Sequence, residues 1–482
     1  MTLLLGVDEG TSAVKAVLYD ADLHPLAEAR REKPLKHPRP GWVEQNPDDV
    51  LVAVVGAIAE VLEEAPGQVT ACGLDHQGES VLAWDAESGR PLTPIVTWQD
   101  KRSQEVLDAL ERAGKDEEIK RRSGMPLDPY FSAGKLAWLL EHDAGVQRAL
   151  DNGTLRMGTV DSFLCDRLGA GFATDPSTAS RTQLGAPQWD PALLEIFGVP
   201  ADVLPAIADT AGDLGVLSHQ SWPIELPLRA RCVDQQAALA GAGAVRPGLV
   251  KGTYGTGVFV LAHAGVERPT PSGGLLPTVA WQVNGRVEWA LDGGVFTAGA
   301  LLEWLSRDLG LAADPKALAA TAAEVDDAGG VKILPALSGV GAPWWRPQAR
   351  AVIAGLTSGV RVGHIARAAL EGIAWRVADV LGATRETVPA DVLRVDGGLT
   401  RDPTLLQLQA DAAGVTVQRG AVDATAAGAA ALAAVGEGVF ESTLEIARRI
   451  PTGETVEPKR DSDWREAQHA QWRTFVERSA EL

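Results

Sequence analysis

The stretch Leu5-Gly-Val-Asp-Glu-Gly-Thr-Ser-Ala-Val-Lys15 decides the fold of this chain. An apolar run ends in a carboxylate, a glycine and two hydroxyls, and a second apolar run follows at once. The pattern predicts a β-hairpin with residues 8–12 at its tip. Turn N–H groups and hydroxyls bind phosphate oxygens, and a carboxylate can hold Mg²⁺, so the tip is a candidate phosphate site. An ordinary polar turn has a similar composition, and the rest of the chain must decide between the two interpretations.

A second stretch of the same layout lies about half a chain later, Leu249-Val-Lys-Gly-Thr-Tyr-Gly-Thr-Gly-Val-Phe-Val-Leu261. A third glycine-containing tip, residues 396–398, follows another apolar run. Two similar hairpins in a chain of 482 residues predict a duplicated architecture, with residues 1–242 and 243–482 as two domains. Alternation of apolar runs with helical segments predicts an α/β fold with a largely parallel sheet.

Composition excludes several classes of protein. Apolar residues make up 45% and charged residues 22% of the chain, which is typical of globular proteins. A net charge of −20 argues against a nucleic-acid-binding surface, although a nucleotide needs only local positive groups. Cys72, Cys165 and Cys232 are far apart, which predicts buried thiols and a cytoplasmic location. We also expect no membrane association, because no apolar run reaches the roughly 18 residues that a membrane span requires.

Local signals predict several elements. Asn46 and Pro47 indicate the start of a helix, as a cap and a first-turn residue. The polar residues 175–182 are predicted as a loop, and residues 183–231 as irregular structure. Residues 424–435, rich in alanine and glycine, are expected to form a helix with a surface small enough for close packing.

The segment Cys232-Val-Asp-Gln-Gln236 places a carboxylate between an apolar-flanked segment and a helix of small residues. Such a carboxylate can deprotonate a substrate hydroxyl for attack on a phosphate. Aspartate is equally a favoured helix N-cap, and that alternative stays open for Asp234. The chain has neither a P-loop nor an early dinucleotide-binding glycine motif, so any nucleotide would be bound by the three glycine-containing tips.

A further set of polar and aromatic residues suits a polyol or a sugar: Gln77, Glu79, Trp98, Tyr130 and Phe259. Carboxylate and amide groups bind hydroxyls, while aromatic faces pack on C–H surfaces. Most aromatic residues belong to the core or its rim, so each of them alone is weak evidence.

The chain resembles the FGGY family of carbohydrate kinases, in order and spacing, from about residue 3 to about residue 440. The motifs that carry the resemblance are Gly6-Val-Asp-Glu-Gly-Thr-Ser12, Pro40-Gly-Trp-Val-Glu44, Thr97-Trp-Gln-Asp-Lys-Arg102, Tyr130-Phe-Ser132, Gly158-Thr-Val-Asp161, Ala179-Ser-Arg-Thr182, Asp234-Gln-Gln-Ala-Ala-Leu239, Thr253-Tyr-Gly-Thr-Gly257, Gly341-Ala-Pro-Trp-Trp345 and Arg394-Val-Asp-Gly-Gly398.

This resemblance implies an actin-like ATPase fold of two ribonuclease-H-like domains with a central nucleotide cleft. It implies ATP and Mg²⁺ as cofactors and a small polyol or sugar as the acceptor, with glycerol first, and a homodimer is one assembly that it allows. Asp234 would be the general base, and Asp8 and Asp234 would serve the metal. The implied acceptor-binding residues are Gln77, Glu79, Trp98, Tyr130, Asp234, Gln235 and Phe259. The implied ATP-binding residues are Thr11, Ser12, Lys15, Thr256, Gly299, Glu303, Gly398 and Gly428.

The chain also departs from the glycerol-specific members of the family. They carry Arg-Glu where this chain has Gly78-Glu79, and the lost arginine would contribute charge-assisted hydrogen bonds of about 1.5–3 kcal/mol each. A tetritol such as erythritol, or a ketopentose such as xylulose, is therefore an alternative acceptor, although pentulose kinases usually have histidine in place of Glu79. Glu303 replaces a common glutamine. Residues 226–231 lack the pattern tied to control by a sugar bisphosphate, so we expect no such regulation. A third hypothesis is an actin-like ATPase without a small acceptor.

Overall fold

A computed structural model describes residues 2–270, 273–420 and 424–479 of the chain. Its strands are β1 (Leu4–Glu9), β2 (Ala13–Tyr19), β3 (Pro25–Glu32), β4 (Glu44–Gln45), β5 (Ala71–His76), β6 (Val81–Asp85), β7 (Ile95–Val96), β8 (Leu155–Thr159), β9 (Ala173–Thr174), β10 (Ala206–Ile207), β11 (Val216–Leu217), β12 (Leu226–Val233), β13 (Gly248–Tyr254), β14 (Val258–Gly265), β15 (Leu276–Val283), β16 (Arg286–Val295), β17 (Lys332–Leu334), β18 (Val352–Ala354), β19 (Ala390–Asp396), β20 (Thr416–Arg419) and β21 (Thr455–Val456).

The α-helices of the described residues are α1 (Pro47–Glu63), α2 (Gln104–Arg112), α3 (Asp116–Ser123), α4 (Ser132–His142), α5 (Ala144–Asp151), α6 (Val160–Arg167), α7 (Pro176–Arg181), α8 (Pro191–Phe197), α9 (Asp234–Gly241), α10 (Gly299–Glu303), α11 (Pro315–Thr321), α12 (Val362–Arg385), α13 (Pro403–Ala413), α14 (Ala424–Glu437), α15 (Thr443–Arg449) and α16 (Ser462–Ser479). Short 3-10 turns lie at Ala201–Val203, Ala322–Glu324 and Gly398–Arg401, and a π-helical turn lies at Trp304–Asp308.

The chain divides into two compact units that each draw on separate stretches of sequence. Unit 1 comprises Met1–Val245, Thr278–Trp289 and Asp423–Ile450. Unit 2 comprises Arg246–Pro277, Ala290–Val422 and Pro451–Leu482. Helices α14 and α15 therefore belong to the unit that contains the N-terminus.

The main sheet of unit 1 has six strands in the order β11-β12-β5-β1-β2-β3. Strands β12, β5 and β1 run parallel, whereas β1, β2 and β3 form an antiparallel meander. A Cβ built on Gly6 or Gly73 of this sheet would lie only 2.0 Å from a backbone oxygen of helix α14. The helix therefore packs closely against the sheet at these two glycines. The predicted close packing of this small-residue helix is thus confirmed.

A smaller, four-stranded sheet in unit 1 has the order β4-β7-β6-β8. Helices α2 to α5 contribute to the apolar cluster beside it, which includes Val81, Val96, Leu136 and Met157. The connection from β5 to β6 carries Gln77 to Ser80, so the two sheets of unit 1 meet at that loop.

A seven-stranded sheet in the order β15-β16-β14-β13-β19-β20-β21 repeats the pattern of the first sheet. The hairpin β13-β14 is antiparallel, β13 pairs in parallel with β19, and β19 in parallel with β20. The same hairpin-plus-parallel-strands arrangement occurs in β1, β2, β5 and β12, so the predicted duplication is confirmed. Helix α12 packs on this sheet within an apolar core that includes Val250, Leu370 and Leu393.

Three of the local predictions were wrong. Both sheets are mixed rather than largely parallel, because each hairpin adds antiparallel pairs. Residues 176–181, predicted as part of a loop, form α7: Asp175 caps the helix by accepting hydrogen bonds from two backbone N–H groups, and Pro176 occupies its first turn. The stretch 183–231, predicted to be irregular, contains α8 and most of β12.

Other expectations were correct. Asn46 caps α1 by accepting from the backbone N–H of Asp48, and Pro47 begins that helix. Cys72, Cys165 and Cys232 are free and buried. Within the described residues, no helix combines the length and apolar character that crossing a membrane requires.

Candidate active site

Three carboxylates gather at one edge of the main sheet of unit 1. Asp8 on β1 is in register with Asp75 on the parallel strand β5, and Asp234 directly follows β12 on the other side of β5. The carboxyl ends of parallel strands meet at one edge of a sheet, where α/β proteins commonly bind ligands. The topology therefore brings the predicted base and the predicted metal ligand together.

Asp75 is fully buried, and with the carboxyls ionised neither of its oxygens has a hydrogen-bond donor. Burial raises the pKa of Asp75 well above its ordinary value, and the carboxyls of Asp8 and Asp234 raise it further. A proton on one carboxyl lets Asp75 and Asp8 share a hydrogen bond, which adds to the raised pKa. This edge carries negative charge that a proton or a hard cation can neutralise.

Asp234 begins α9 and lies in its first turn, half-buried beside the half-buried Gln235. The N-cap position is occupied by Val233, which makes no side-chain cap, so the N-cap interpretation of Asp234 was wrong. The Ser177 hydroxyl accepts the backbone N–H of Val233 at 3.2 Å, which fixes the start of the helix. The carboxylate of Asp234 is therefore not needed to cap its own helix.

The tip of the first hairpin is tied to other parts of unit 1. The indole N–H of Trp98 donates to the Thr11 hydroxyl at 2.9 Å, and the Gln45 side chain donates to the Thr11 carbonyl at 2.7 Å. Ser12 is exposed at the turn. Lys15, the register partner of Asp8, pairs with Glu28 of β3 at 3.2 Å.

Gln77 is buried, and both ends of its amide are engaged within unit 1. The amide nitrogen donates to Glu9 at 3.0 Å and to Gln45 at 2.8 Å, while the amide oxygen accepts from Ser80 at 3.1 Å. Lys33 forms a buried ion pair with Glu9, and burial lowers the pKa of Lys33 to about 7. Gln77 thus links the hairpin to the loop that carries Glu79.

Glu79 is 3% exposed and has a backbone φ of 53°, in the left-handed region that non-glycine residues seldom adopt. The hydroxyl of Ser132, at the start of α4, donates to the Glu79 carbonyl at 3.1 Å. The guanidinium of Arg181 donates from Nε to Glu79 Oε1 at 2.6 Å. These contacts hold a carboxylate in a conformation that the chain alone disfavours, a situation common at functional sites.

Two predicted acceptor aromatics lie near this carboxylate. The rings of Trp98 and Tyr130 meet edge to face at 5.6 Å, and both side chains are half-buried. Lys135 is fully buried and donates to the carbonyls of Tyr130 at 2.5 Å and Phe131 at 3.0 Å, which holds this loop. Burial lowers the pKa of Lys135 to about 7.

Gly78 is closely packed rather than surrounded by open space. A Cβ built on Gly78 would lie 2.9 Å from Cγ1 of Val233, which itself is buried. Any side chain at position 78 must therefore displace Val233, the residue immediately before Asp234.

The remaining predicted residues are divided between the units. Phe259 lies on β14 in unit 2, whereas the other predicted acceptor residues belong to unit 1. Thr256 is exposed at the tip of the second hairpin, and its carbonyl accepts from the N–H groups of Ala298 and Ala300. A Cβ on Gly299 would lie 2.6 Å from the carbonyl oxygen of the tip residue Gly255, so close packing also explains that glycine.

Three further ATP-site candidates have distinct surroundings. Glu303 pairs with Arg307 at 2.6 Å near the surface of unit 2. Gly398 is exposed, and a Cβ there would meet open space. Gly428 lies in unit 1, where a Cβ would overlap the carbonyl oxygen of Ala237 at 1.7 Å, so this glycine lets α14 approach α9.

Among the described residues, no group of three or more His, Cys, Asp or Glu side chains is arranged to hold a metal by itself. The acidic edge nevertheless fits Mg²⁺, which usually takes one or two protein carboxylates and completes its shell with water and phosphate oxygens. The oxygens of Asp75 that lack a donor support that fit.

Sequence reasoning missed Asp75 and Arg181 as site residues. A signal existed for Asp75, because it follows an apolar strand as Asp8 does. Arg181 lies in the motif Ala179-Ser-Arg-Thr182, which carried part of the resemblance, but nothing in that motif indicates its partner Glu79, 102 residues away in sequence.

Comparison with known proteins is consistent with this geometry. The sequence profile for the FGGY family of carbohydrate kinases, N-terminal domain, matches residues 3–241, and the profile for the C-terminal domain matches residues 250–437. The glycerol kinase of Geobacter sp. (strain M21) is 41% identical over 488 residues, which cover 99% of this chain and 98% of that protein. The glycerol kinase of Alkalilimnicola ehrlichii is 43% identical over 446 residues, 90% of each protein.

A solved structure agrees over almost the whole length. The crystal structure of Plasmodium falciparum glycerol kinase with ADP matches with a TM-score of 0.94 at 29% identity, covering 99% of this chain and 98% of that chain. The predicted actin-like α/β fold is confirmed by this match and by the duplicated sheets. The two profiles together match most of the chain, and on that evidence the protein is a kinase that belongs to the FGGY family of carbohydrate kinases.

Proposed function

We propose that this kinase transfers the γ-phosphoryl group of ATP to a primary hydroxyl of glycerol. The single observation that supports this most strongly is the gathering, within unit 1, of Asp234 at the sheet edge and of Glu79, Trp98 and Tyr130 around one loop. A base beside a cluster of polar and aromatic side chains suits a short polyol. The curated relatives that share about two fifths of the sequence are named glycerol kinases, which favours glycerol among the polyols.

In the proposed reaction Asp234 accepts the proton of the attacking hydroxyl, and the hydroxyl oxygen forms a bond to phosphorus as the bond to ADP breaks. Glu79 accepts hydrogen bonds from the hydroxyls of the acceptor. The rings of Trp98 and Tyr130 pack on the C–H surface of the acceptor. Asp8 and Asp234 would hold Mg²⁺, which would supply neutralisation of charge on the phosphates.

The residue roles are part of the proposal. The proposed acceptor-binding residues are Glu79, Trp98, Tyr130, Asp234, Gln235 and Phe259. The proposed ATP-binding residues are Thr11, Ser12, Lys15, Thr256, Gly299, Glu303, Gly398 and Gly428. Because its amide is engaged on both ends, we propose that Gln77 orients the hairpin rather than forming a primary contact to the acceptor.

Erythritol and xylulose are the second candidates, because Gly78 offers no side chain to bind a glycerol hydroxyl. The methyl groups of Val233 occupy the space beside Gly78, and this argues for the smaller acceptor. The two proposals differ in the acceptor alone.

The test is a coupled ADP assay with MgATP in the presence and absence of glycerol, with the product identified by mass spectrometry. The proposal expects ADP formation that depends on glycerol and yields one equivalent of glycerol phosphate per ADP. Hydrolysis of ATP at a rate indifferent to any polyol would instead support an actin-like ATPase.

The division of roles between the two halves of the chain, its assembly and its location are also proposals. We propose that residues 1–242 serve mainly the acceptor and residues 243–482 mainly ATP. A homodimer and a cytoplasmic location stay predictions, to be examined by light scattering and by fractionation of cells.

A further inference from the structure

Helix α7 contacts three elements around the proposed acceptor site through Ser177, Thr178 and Arg181. Thr178 bonds to the ring of His76, at the end of β5, at 2.9 Å. Ser177 accepts the N–H of Val233 at the start of α9, and Arg181 donates to Glu79. One short helix therefore touches the strand end, the base-bearing helix and the acceptor carboxylate.

The other end of α7 is fixed as firmly. Asp175 accepts the backbone N–H groups of Ser177 and Thr178 at 3.0 and 2.9 Å, and the Thr210 hydroxyl at 2.6 Å. The hydroxyl of Ser180 bonds to that of Thr278 at 2.8 Å. Arg181 thus projects from a helix that has little freedom to shift.

The pair formed by Arg181 and Glu79 is almost completely removed from solvent, with 6% and 4% of the two side chains exposed. A buried carboxylate without a cationic or hydrogen-bonding partner is costly, and a buried arginine likewise needs one. The Arg181 guanidinium also lies 5.7 Å from the Tyr130 ring centre and 5.6 Å from that of Phe131. Its planar fork can satisfy a carboxylate and pack on aromatic faces at the same time, which lysine does less well.

We propose that Arg181 is a positioning residue for the acceptor, which fixes the Glu79 carboxylate and the Tyr130 ring in the geometry that binds a neutral polyol. The inference rests on the proposed function of this site. Arg181 acts through Glu79, so its loss weakens acceptor binding and leaves ATP binding nearly unchanged.

The experiment compares the wild type with R181M, R181K, E79Q and the E79Q/R181M double variant in the glycerol-dependent assay. R181M is expected to raise the KM for glycerol by about 10- to 100-fold, the loss expected when a buried charge-assisted hydrogen bond is removed. The KM for ATP should change by less than about twofold. R181K should recover part of the loss, because lysine restores the charge without the fork.

The double variant tests whether Arg181 acts through Glu79. In the E79Q background, R181M should change kcat/KM for glycerol much less than it does in the wild type. If the fold-changes in kcat/KM of E79Q and R181M multiply in the double variant, Arg181 acts independently of Glu79, and the inference is overturned. If R181M does not fold, the same comparison between R181K and E79Q/R181K carries the test.

A matched control separates positioning from general stability. Arg156 also pairs with a carboxylate, Asp166 at 2.5 Å, and lies over an aromatic ring, Phe172 at 4.9 Å, but none of these residues belongs to the proposed site. R156M should keep the wild-type KM for glycerol. R181M with the same KM as R156M would overturn the inference, whereas a wild type that phosphorylates no polyol would overturn the proposed function instead.

Discussion

Trp98 donates its indole N–H to the hydroxyl of Thr11 across 2.9 Å. The bond joins a predicted acceptor aromatic to the tip of the first hairpin, which is the proposed phosphate site. Gln45 adds a parallel link, from Gln77 near Glu79 to the Thr11 carbonyl. The proposed acceptor residues and the proposed phosphate site of unit 1 therefore share one hydrogen-bond network.

Removing this link should impair both substrates at once. W98F keeps an aromatic ring but loses the donor, and we expect the KM for glycerol and for ATP each to rise about fivefold, as for one lost hydrogen bond of about 1 kcal/mol. Steady-state kinetics with each substrate varied provides the measurement. W189F is the matched control, because Trp189 also donates from its indole to one acceptor, the Pro205 carbonyl at 2.9 Å. A change confined to glycerol would contradict the shared network.

The base assignment predicts a separation of binding from turnover. D234N should lower kcat by about 10²- to 10⁴-fold, because the amide cannot accept the hydroxyl proton. The melting temperature and the affinity for glycerol, from calorimetry, should stay close to the wild type. D213N, at an exposed carboxylate paired with Arg229, should retain activity. Normal turnover in D234N would exclude Asp234 as the base.

The contact between Gly78 and Val233 predicts a coupled pair of positions. G78A should destabilise the protein by about 1–3 kcal/mol, since its Cβ would overpack against Val233. Adding V233A should relieve most of that cost, which urea unfolding of both single variants and the double variant would measure. Additive effects would show that Val233 moves aside freely.

The contact between Gly78 and Val233 also determines how to test whether the arginine missing at position 78 weakens glycerol binding. G78R alone should lose stability without gaining affinity for glycerol. In the V233A background, G78R should lower the KM for glycerol relative to V233A if the missing arginine is what weakens glycerol binding. An unchanged KM there would reject that explanation.

The buried Lys135 predicts a stability that depends on pH. Burial holds its pKa at about 7 instead of 10.5, so between these values the unfolded chain binds a proton that the folded chain has released. Stability of the wild type relative to K135M should therefore rise with pH above about 7, by up to about 1.4 kcal/mol per pH unit. Denaturation at several pH values measures this difference. Lys120 is exposed and gives the control K120M, for which the difference in unfolding free energy from the wild type should not change with pH. A difference for K135M that is also independent of pH would contradict the lowered pKa of Lys135.

The predictable parts of the fold were those encoded in neighbouring residues. The two hairpins and the helix beginning at Pro47 follow from turn glycines, alternating apolar runs and a capping asparagine. Helix α7 was missed because hydroxyl-rich segments resemble loops, and its cap becomes evident only once Asp175 is seen to accept two backbone N–H groups.

The site was predictable where a strand delivers a side chain, as for Asp8, and through resemblance for Asp234 and Glu79. The pairing of Arg181 with Glu79 and the packing of Val233 against Gly78 connect residues far apart in sequence, and no local pattern encodes them. Gly428 was predicted from the resemblance as an ATP-binding residue. The structure adds a second reason for a glycine there, because helices α14 and α9 approach so closely that a Cβ would overlap the carbonyl oxygen of Ala237.

A competition experiment decides which acceptor the enzyme prefers. Wild-type enzyme receives limiting MgATP with equal concentrations of glycerol, erythritol and xylulose, and mass spectrometry measures the phosphorylated products. Their ratio reports the ratio of kcat/KM values for the three acceptors. We expect glycerol phosphate as the main product. A predominance of erythritol phosphate or xylulose phosphate, or ADP without any phosphorylated acceptor, would contradict it.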